Sequence, residues 1–299
     1  MNNTDKAPTA RLHDYIIRTQ SLYERDNDLQ KRFSSADDPE FLKFVDTEGV
    51  IYFQELSDAS FPFPPWMEML TVGGETDIRK FLSIGYACFK SVMSCIPSVN
   101  KKRKILDFGV GCARTMRFFY RSIDLFDCYG CDVDTKSIDY VNRSIPFIKA
   151  YASKTLPNLK YGDSFFEVIY CISVFTHFNK NLFDIWLDEM HRVIAKGGIF
   201  VFSLHGTTAF NLVSKQPDRR KMIGIKENEF DASKDIYERD GFIWLSQPVG
   251  SSDIDTKSFG INFIDETKIK QLVSDRFEII DYKKGELGGW QDLVVVKKR

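Results

Sequence analysis

The segment Lys104-Ile-Leu-Asp-Phe-Gly-Val-Gly-Cys-Ala-Arg114 decides the fold of this chain. Its residues 105–108, apolar except for Asp107, predict a short buried strand. The motif Gly109-x-Gly111-x-Ala113 follows directly. A helix is predicted next, near residues 113–122. Strand, glycine turn and helix in this order are typical of the unit that opens a nucleotide-binding α/β fold. The first glycine permits a tight turn, the second lets the backbone approach a ligand, and Ala113 permits close packing of helix on strand.

Two acidic residues indicate which ligand the glycine turn holds. Asp107 lies two residues before Gly109, where its carboxylate would repel the pyrophosphate of a dinucleotide. S-adenosylmethionine has no phosphate and carries a sulfonium and an ammonium group, so Asp107 favours it over NAD. The second acid, Asp132, ends the predicted strand Tyr129-Gly-Cys-Asp132, where a carboxylate can accept both hydroxyls of a ribose.

Four segments in this order resemble the motifs of class I S-adenosylmethionine-dependent methyltransferases. The resemblance covers roughly residues 100–205 and the C-terminal end. It lies in the glycine motif that begins at Asp107, the acid Asp132, the fourth-strand segment Phe165-Phe-Glu-Val-Ile-Tyr-Cys-Ile-Ser-Val-Phe-Thr-His-Phe178, and the segment Arg192-Val-Ile-Ala-Lys-Gly-Gly-Ile-Phe-Val-Phe202. Ala113 stands where the third glycine is commoner, Glu167 stands where the family usually has Asp, and Ala195-Lys196 replaces a frequent proline.

The resemblance implies a cofactor site at the carboxyl ends of the strands. S-adenosylmethionine is the expected cofactor and S-adenosylhomocysteine the expected product. The ends of the first, second and fourth strands are expected to meet there, because the fourth strand neighbours the first in this fold. The predicted cofactor-binding residues are Asp107, Gly109, Gly111, Ala113, Arg114, Asp132, Val133, Ile172, Ser173 and Val174. The residues that contact the adenine are left open, since the third strand ends without an acid or an amide.

Two histidines are the candidates for the catalytic base. His177 follows the predicted fourth strand and His205 ends the fifth, so both are expected on the rim where a methyl acceptor approaches. Methyl transfer from a sulfonium requires alignment of the acceptor and, for a hydroxyl, removal of a proton. Histidine suits that step. A histidine after the fourth strand also often caps the next helix or holds a loop, so a structural role stays open.

Composition excludes several other classes of protein. The 299 residues include 41 basic and 42 acidic side chains, a balance that favours neither nucleic acid nor a membrane surface. No apolar run is long enough to span a membrane, and the N-terminal residues are polar. The six cysteines lie mostly in apolar segments, as expected of reduced thiols in a cytoplasmic protein. No metal site is predicted, because no aspartate ends the fourth strand.

Alternating strands and helices predict a mostly parallel, Rossmann-like sheet whose last strand is antiparallel. Gly197-Gly198 is predicted to cap the helix that begins near Asn181. The predicted organisation is a helical N-terminal extension or lid at 1–75, a cofactor-binding domain at 76–205 and 261–299, and an insertion at 206–260 that covers the acceptor. The insertion is expected to be partly irregular.

The acceptor is predicted less directly than the cofactor. Ser173-Val-Phe-Thr-His177 and Gly289-Trp-Gln-Asp292 resemble segments of bacterial methyltransferases linked to polysaccharide or glycan assembly. We therefore expect O-methylation of a sugar, a glycan or another small hydroxylated molecule. The alternatives are an N-methyltransferase acting on a small amine or a protein side chain, and a module that binds the cofactor or a nucleoside without catalysis. An NAD-dependent oxidoreductase is disfavoured by Asp107.

Overall fold

The structure is a computed structural model that describes residue 64 and residues 78–98, 101–247 and 260–299. The strands are β1 Arg103–Phe108, β2 Phe126–Asp132, β3 Ile148–Ala152, β4 Phe166–Cys171, β5 Ile194–Leu204, β6 Phe242–Ser246, β7 Gly260–Ile264, β8 Phe277–Leu287 and β9 Gln291–Lys298. The α-helices are α1 Ile78–Ser94, α2 Thr135–Ser144, α3 Lys180–Val193, α4 Thr207–Lys215, α5 Pro217–Met222, α6 Glu227–Asp240 and α7 Glu266–Val273. Two 3-10 helices span Met116–Ser122 and Phe175–His177. Among these residues, no helix has both the length and the apolar character needed to cross a membrane.

The main sheet has seven strands in the order β3-β2-β1-β4-β5-β9-β8. Strands β1 to β5 pair in parallel, whereas β9 is antiparallel to both β5 and β8. The predicted class I methyltransferase sheet is therefore confirmed, including the adjacency of β1 to β4 and of β4 to β5. The strand order reverses between β1 and β4, and in open α/β sheets ligands bind at the carboxyl ends beside such a reversal.

Both faces of the sheet are buried. Ile105 and Val168 face a cluster built with α1 and α2, whereas their neighbours Leu106 and Ile169 face a cluster built with α3 and α7. Alternate residues of a strand point to opposite faces, so each strand contributes to both clusters. Cys128 and Cys131 of β2 likewise lie in different clusters, and all six cysteines are free.

The predicted helix at 113–122 is wrong in type and in starting point. Residues 111–115 form turns, and the helical segment that follows is the 3-10 helix Met116–Ser122. Ala113 has a φ of 59°, in the left-handed region, so a right-handed helix cannot run through it. Phe118 and Phe119 of the 3-10 helix are both buried in the first cluster.

The predicted glycine cap at Gly197-Gly198 is also wrong. Helix α3 ends at Val193, and Ile194 already has extended dihedrals. The Lys298 Nζ donates to the carbonyls of His191 (2.6 Å) and Ile194 (2.9 Å), which satisfies the end of the helix without a glycine. Gly197, with a φ of 74°, lies within the long strand β5.

The segment after β5 is more regular than predicted. It contains α4, α5 and α6, and β6 then pairs antiparallel with β7. Their apolar side chains form a third cluster that includes Phe210, Phe230 and Phe263. The described part of the insertion thus forms helices and a paired strand, where a partly irregular segment was predicted.

The N-terminal prediction is tested only in part. Helix α1, Ile78–Ser94, begins the described part of the predicted cofactor-binding domain. Leu82 and Phe89 of this helix are buried. The predicted lid at 1–75 lies outside the described residues apart from Pro64, as does the part of the 206–260 insertion at 248–259.

Candidate functional site

The glycine turn follows β1 and is hydrogen-bonded to the end of the neighbouring strand β2. Gly109 and Gly111 have φ values of 87° and 49°, which a residue with a side chain rarely adopts. The backbone N–H groups of Gly109 and Val110 both donate to the Cys131 carbonyl, at 2.9 and 3.0 Å. The turn is therefore anchored to β2 through its backbone.

The end of β4 packs directly on this turn. A Cβ atom placed on Gly109 would lie 2.2 Å from Val174 Cγ2, closer than any real contact. The structure thus brings the predicted residues Gly109 and Val174 together. It also places Ile172 half-buried against the first cluster, at the end of the same strand.

Asp132 holds the turn from the opposite side. Its Oδ2 accepts the Gly111 N–H at 2.8 Å and its Oδ1 accepts the Asp134 N–H at 2.9 Å. Burial raises the pKa of Asp132, and these backbone donors oppose that rise. Each carboxylate oxygen has two lone pairs, so both oxygens keep an acceptor position that ribose hydroxyls could use. Val133, the next residue, is half-buried.

Asp107 is an acidic side chain in the interior of the domain. It is buried, and its Oδ2 accepts the Tyr170 hydroxyl at 2.7 Å. Burial raises the pKa of Asp107 to about 7, against the effect of the Tyr170 hydrogen bond. The charge of Asp132 raises this pKa further, whereas that of Arg114 lowers it. The nearby cation therefore favours the ionised carboxylate.

Arg114 carries a buried donor without an acceptor. Among the described residues, its Nε has no hydrogen-bond partner although it is shielded from solvent. Helix α1 covers this part of the turn, because a Cβ atom on Gly85 would lie 2.2 Å from the Arg114 carbonyl oxygen. A buried guanidinium N–H without a partner suits a ligand carboxylate.

Ser173 connects the ends of three strands. Its φ of 59° is strained for a residue with a side chain, and its N–H donates to Ser203 Oγ of β5 at 2.7 Å. The Gln291 Nε2 of β9 donates to Ser173 Oγ at 2.9 Å. The residues present thus fit S-adenosylmethionine, with a carboxylate for the ribose, an unpaired guanidinium for the methionine carboxylate and a buried acid near it.

The two predicted histidines both contact β7. His177 Nδ1 lies 2.7 Å from the Gly260 carbonyl oxygen, and His205 Nδ1 lies 3.2 Å from that of Asn262. A carbonyl can only accept, so in each neutral ring Nδ1 carries the proton and Nε2 is the unprotonated nitrogen. The structure places both histidines beyond the carboxyl ends of β4 and β5, as predicted.

Burial keeps both rings neutral. It lowers the pKa of His177 and lowers that of His205 to about 3, with the neighbouring His177 as a further cause for His205. Within the described residues, His205 Nε2 has no hydrogen-bond partner. An unprotonated nitrogen at this edge can accept a hydrogen bond or a proton from a hydroxyl.

Sequence reasoning missed Tyr170, Trp244 and Asn262, and it assigned Gln291 to a segment without predicting its contact. Tyr170 and Gln291 bond two predicted residues, and Trp244 Nε1 donates to the His177 carbonyl at 3.0 Å. Asn262 Nδ2 donates to the carbonyls of Phe175 (2.6 Å) and Phe178 (2.8 Å), and so fixes the turn that carries His177. Asn262 did have a signal, since it is a polar residue inside the apolar run 259–263.

The C-terminal hairpin of β8 and β9 lies at the side of the site where the methyl acceptor is expected. The Trp290 ring lies 5.0 Å from the His205 ring, and Gln291 contacts Ser173. The segment Gly289-Trp-Gln-Asp292 both starts β9 and lies beside the candidate base. Asp292 itself accepts the Tyr282 hydroxyl at 2.7 Å and the Gly285 N–H at 2.7 Å, which holds the hairpin together.

Comparison with known proteins agrees with this geometry. Residues 106–202 match a family model described as a methyltransferase domain. No curated protein matches the sequence. The matched segment begins in β1 and ends in β5, so it contains the glycine turn, Asp132 and the end of β4.

Two solved structures show the same fold at low sequence identity. One is the PH0226 protein of Pyrococcus horikoshii OT3, with 17% identity, a TM-score of 0.51, and coverage of 80% of this chain and 97% of that one. The other is the 1,6-didemethyltoxoflavin-N1-methyltransferase of Burkholderia thailandensis, with 11% identity, a TM-score of 0.50, and coverage of 79% and 92%. The family match, the sheet order and the fitted site together identify an enzyme with a class I methyltransferase domain that uses S-adenosylmethionine.

Proposed function

We propose that this enzyme transfers a methyl group to a hydroxyl of a small acceptor, a sugar or a glycan. S-adenosylmethionine supplies a methyl group already activated on a sulfonium. The protein must therefore bind the cofactor, align the acceptor hydroxyl with that methyl group, and remove the hydroxyl proton.

The proposed cofactor site is the set of strand ends around the glycine turn. Asp132 would take the ribose hydroxyls, Arg114 the methionine carboxylate, and Asp107 would lie near the ammonium group. The remaining contacts are assigned to Gly109, Gly111, Ala113, Val133, Ile172, Ser173 and Val174. The unpaired Arg114 Nε and the two backbone bonds to Asp132 support this assignment.

The two neutral histidines are the observation that supports a hydroxyl as the methyl acceptor. In each imidazole Nδ1 donates its proton to a β7 carbonyl, so Nε2 is the unprotonated, basic nitrogen of the ring. Burial and the neighbouring His177 lower the pKa of His205 to about 3, so His205 is a weak base. A base with so low a pKa removes a proton poorly, so we assign orientation of the hydroxyl to His205 and proton removal to His177.

A neutral amine acceptor would need no such base before attack, and this separates O-methylation from N-methylation. The Burkholderia neighbour, an N1-methyltransferase solved with bound 1,6-didemethyltoxoflavin and S-adenosylhomocysteine, has the same fold, so the fold does not decide the acceptor atom. The resemblance of Ser173-Val-Phe-Thr-His177 to glycan-linked enzymes supports a sugar. The six free cysteines support a reducing, cytoplasmic location.

Substitution of each histidine tests the proposal. The assay is methyl transfer from radiolabelled S-adenosylmethionine to an extract of cell-surface glycans. His177→Ala is expected to lower turnover about a hundredfold or more, the usual contribution of general base catalysis. His205→Ala is expected to lower it less, and affinity for S-adenosylhomocysteine should change little in either variant.

His191→Ala is the matched control, because His191 lies on α3 against Phe277 and away from the site. Its turnover should equal that of the wild type. Wild-type turnover in both the His177 and the His205 variants would exclude an imidazole base. Binding of the cofactor without methyl transfer to any hydroxylated acceptor would instead favour the non-catalytic module.

A further inference from the structure

A cationic side chain of the insertion lies next to the acceptor side of the site. Trp290 packs its ring 5.0 Å from that of His205, and the guanidinium carbon of Arg219 lies 5.2 Å from the Trp290 ring. Arg219 belongs to the short helix α5, far along the chain from the cofactor motifs. One indole thus contacts both a predicted catalytic residue and a positive charge.

Two adjacent arginines on α5 differ sharply in their bonding. Arg220 is buried, and its guanidinium donates to Glu227 and to the Val213 carbonyl. Arg219 is half-buried, yet in the part of the chain that the structure describes its guanidinium makes no ion pair and no hydrogen bond. Arg220 therefore stabilises the insertion, whereas the donors of Arg219 remain available.

An available guanidinium on an aromatic face is suited to an oxyanion. Its planar fork donates two parallel hydrogen bonds to a carboxylate or a phosphate, and the aromatic ring holds the fork in place. The Trp290 indole N–H also has no acceptor among the described residues. Both side chains are half-buried, so an anion bound there would be partly shielded from water and held more strongly.

We infer that the acceptor carries an anionic group, a carboxylate or a phosphate, which Arg219 binds beside Trp290. The inference deepens the proposed function and rests on it in one respect, that the acceptor hydroxyl lies beside His205. A hydroxylated molecule with a charged group at one end and the reacting hydroxyl at the other would span Arg219 and the histidines. A neutral sugar would leave the guanidinium unpaired, so Arg219 would select against it.

The test measures anion binding directly. The protein is saturated with S-adenosylhomocysteine, and its four tryptophans carry a 15N label for NMR spectroscopy. The variant Trp290→Phe identifies the indole N–H resonance of Trp290. Inorganic phosphate and acetate are then titrated separately, at constant ionic strength. We expect a saturable shift of the Trp290 signal with at least one of the two ions. Arg219→Met should weaken that binding about tenfold or more, as expected for loss of a charge-assisted hydrogen bond.

Lys221→Met is the control, because it removes an exposed positive charge from the same helix. It should keep the wild-type affinity for the ion. Saturation with phosphate alone would indicate a phosphorylated acceptor, and saturation with acetate a carboxylated one. The inference is overturned if neither ion gives a saturable shift, or if Arg219→Met binds as tightly as the wild type. Since the readout does not use methyl transfer, a failure of the O-methylation proposal would be seen separately in the histidine variants.

Discussion

Tyr170 and Asp107 are register partners on the neighbouring strands β4 and β1, and the Tyr170 hydroxyl donates to the Asp107 carboxylate at 2.7 Å. Both side chains are buried. The carboxylate would otherwise have a still higher pKa than its value of about 7, because this hydrogen bond favours the ionised form. The pair therefore holds a titratable acid beside the proposed cofactor site at neutral pH.

This pair predicts that cofactor affinity depends on pH. A cationic ligand favours the ionised form of Asp107, so affinity for S-adenosylhomocysteine should rise as pH increases from about 5.5 to 7. In that range the ligand's α-amino group, with an ordinary pKa of about 8, remains charged. Below pH 7 binding should release a proton, which calorimetry in buffers of different ionisation enthalpy measures directly.

Tyr170→Phe should shift that dependence. Loss of the donor raises the pKa of Asp107 further, so affinity at pH 7 should fall and the rise should move to higher pH. Asp107→Asn should abolish the rise. An affinity that stays constant over this pH range in the wild type would contradict a role for Asp107 near the ammonium group.

Gly109→Ala should disrupt the site. The new Cβ atom would collide with Val174, and the φ of 87° would be strained for alanine. We expect loss of S-adenosylhomocysteine binding and a fall in the free energy of unfolding of about 1–3 kcal/mol. Gly162→Ala is the control, since nothing lies within 4 Å of its Cβ position. Retention of wild-type affinity in Gly109→Ala would mean that the turn does not hold the cofactor.

Gly85→Ala should destabilise α1 although alanine is the better helix former. At an ordinary interior helix position this change stabilises by about 1 kcal/mol. Here the Cβ atom would meet the Arg114 carbonyl oxygen at 2.2 Å, so α1 must move away from the turn. Urea unfolding should give a lower free energy, and cofactor affinity should fall. The exposed Ala87, changed to Gly, should follow normal propensity and lose about 1 kcal/mol without loss of affinity.

Asn262→Ala should lower turnover by loosening the position of His177. The change removes the Asn262 donor from the carbonyls of Phe175 and Phe178. The Phe175 carbonyl still accepts the Phe178 N–H at 3.4 Å, so the main cost, about 1–3 kcal/mol, comes from the Phe178 carbonyl. The turn that carries His177 should loosen, so turnover should fall while affinity for S-adenosylhomocysteine stays close to that of the wild type. Equal losses of turnover and affinity would indicate general damage to the domain.

The parts of the site that the sequence predicted are those that depend on backbone geometry. Gly109, Gly111 and Asp132 follow from strand ends and a left-handed turn, and the structure joins Asp132 to Gly111 through a backbone hydrogen bond. The partners that come from distant segments could not be predicted. Tyr170 reaches Asp107 only through the β1–β4 register, and Arg219 reaches Trp290 only because the insertion folds back.

Two local predictions, the helix at 113–122 and the glycine cap at 197–198, are wrong. Ala113 fits a helix by propensity, yet it has a φ of 59° and donates its N–H to the Val110 carbonyl within the turn, and a 3-10 helix follows. Gly197-Gly198 has the composition of a helix cap, yet Lys298 satisfies the carbonyls at the end of α3. At the end of α3, therefore, a contact distant in sequence takes the place of the local glycine cap.

Calorimetric titration of the purified protein with S-adenosylmethionine, S-adenosylhomocysteine and NAD tests the central claim most directly. The account predicts saturable one-to-one binding of the first two, loss of that binding in Gly109→Ala, and no binding of NAD because its pyrophosphate would meet Asp107. Saturable binding of NAD that Gly109→Ala abolishes, or no binding of S-adenosylmethionine by the wild type, would contradict it.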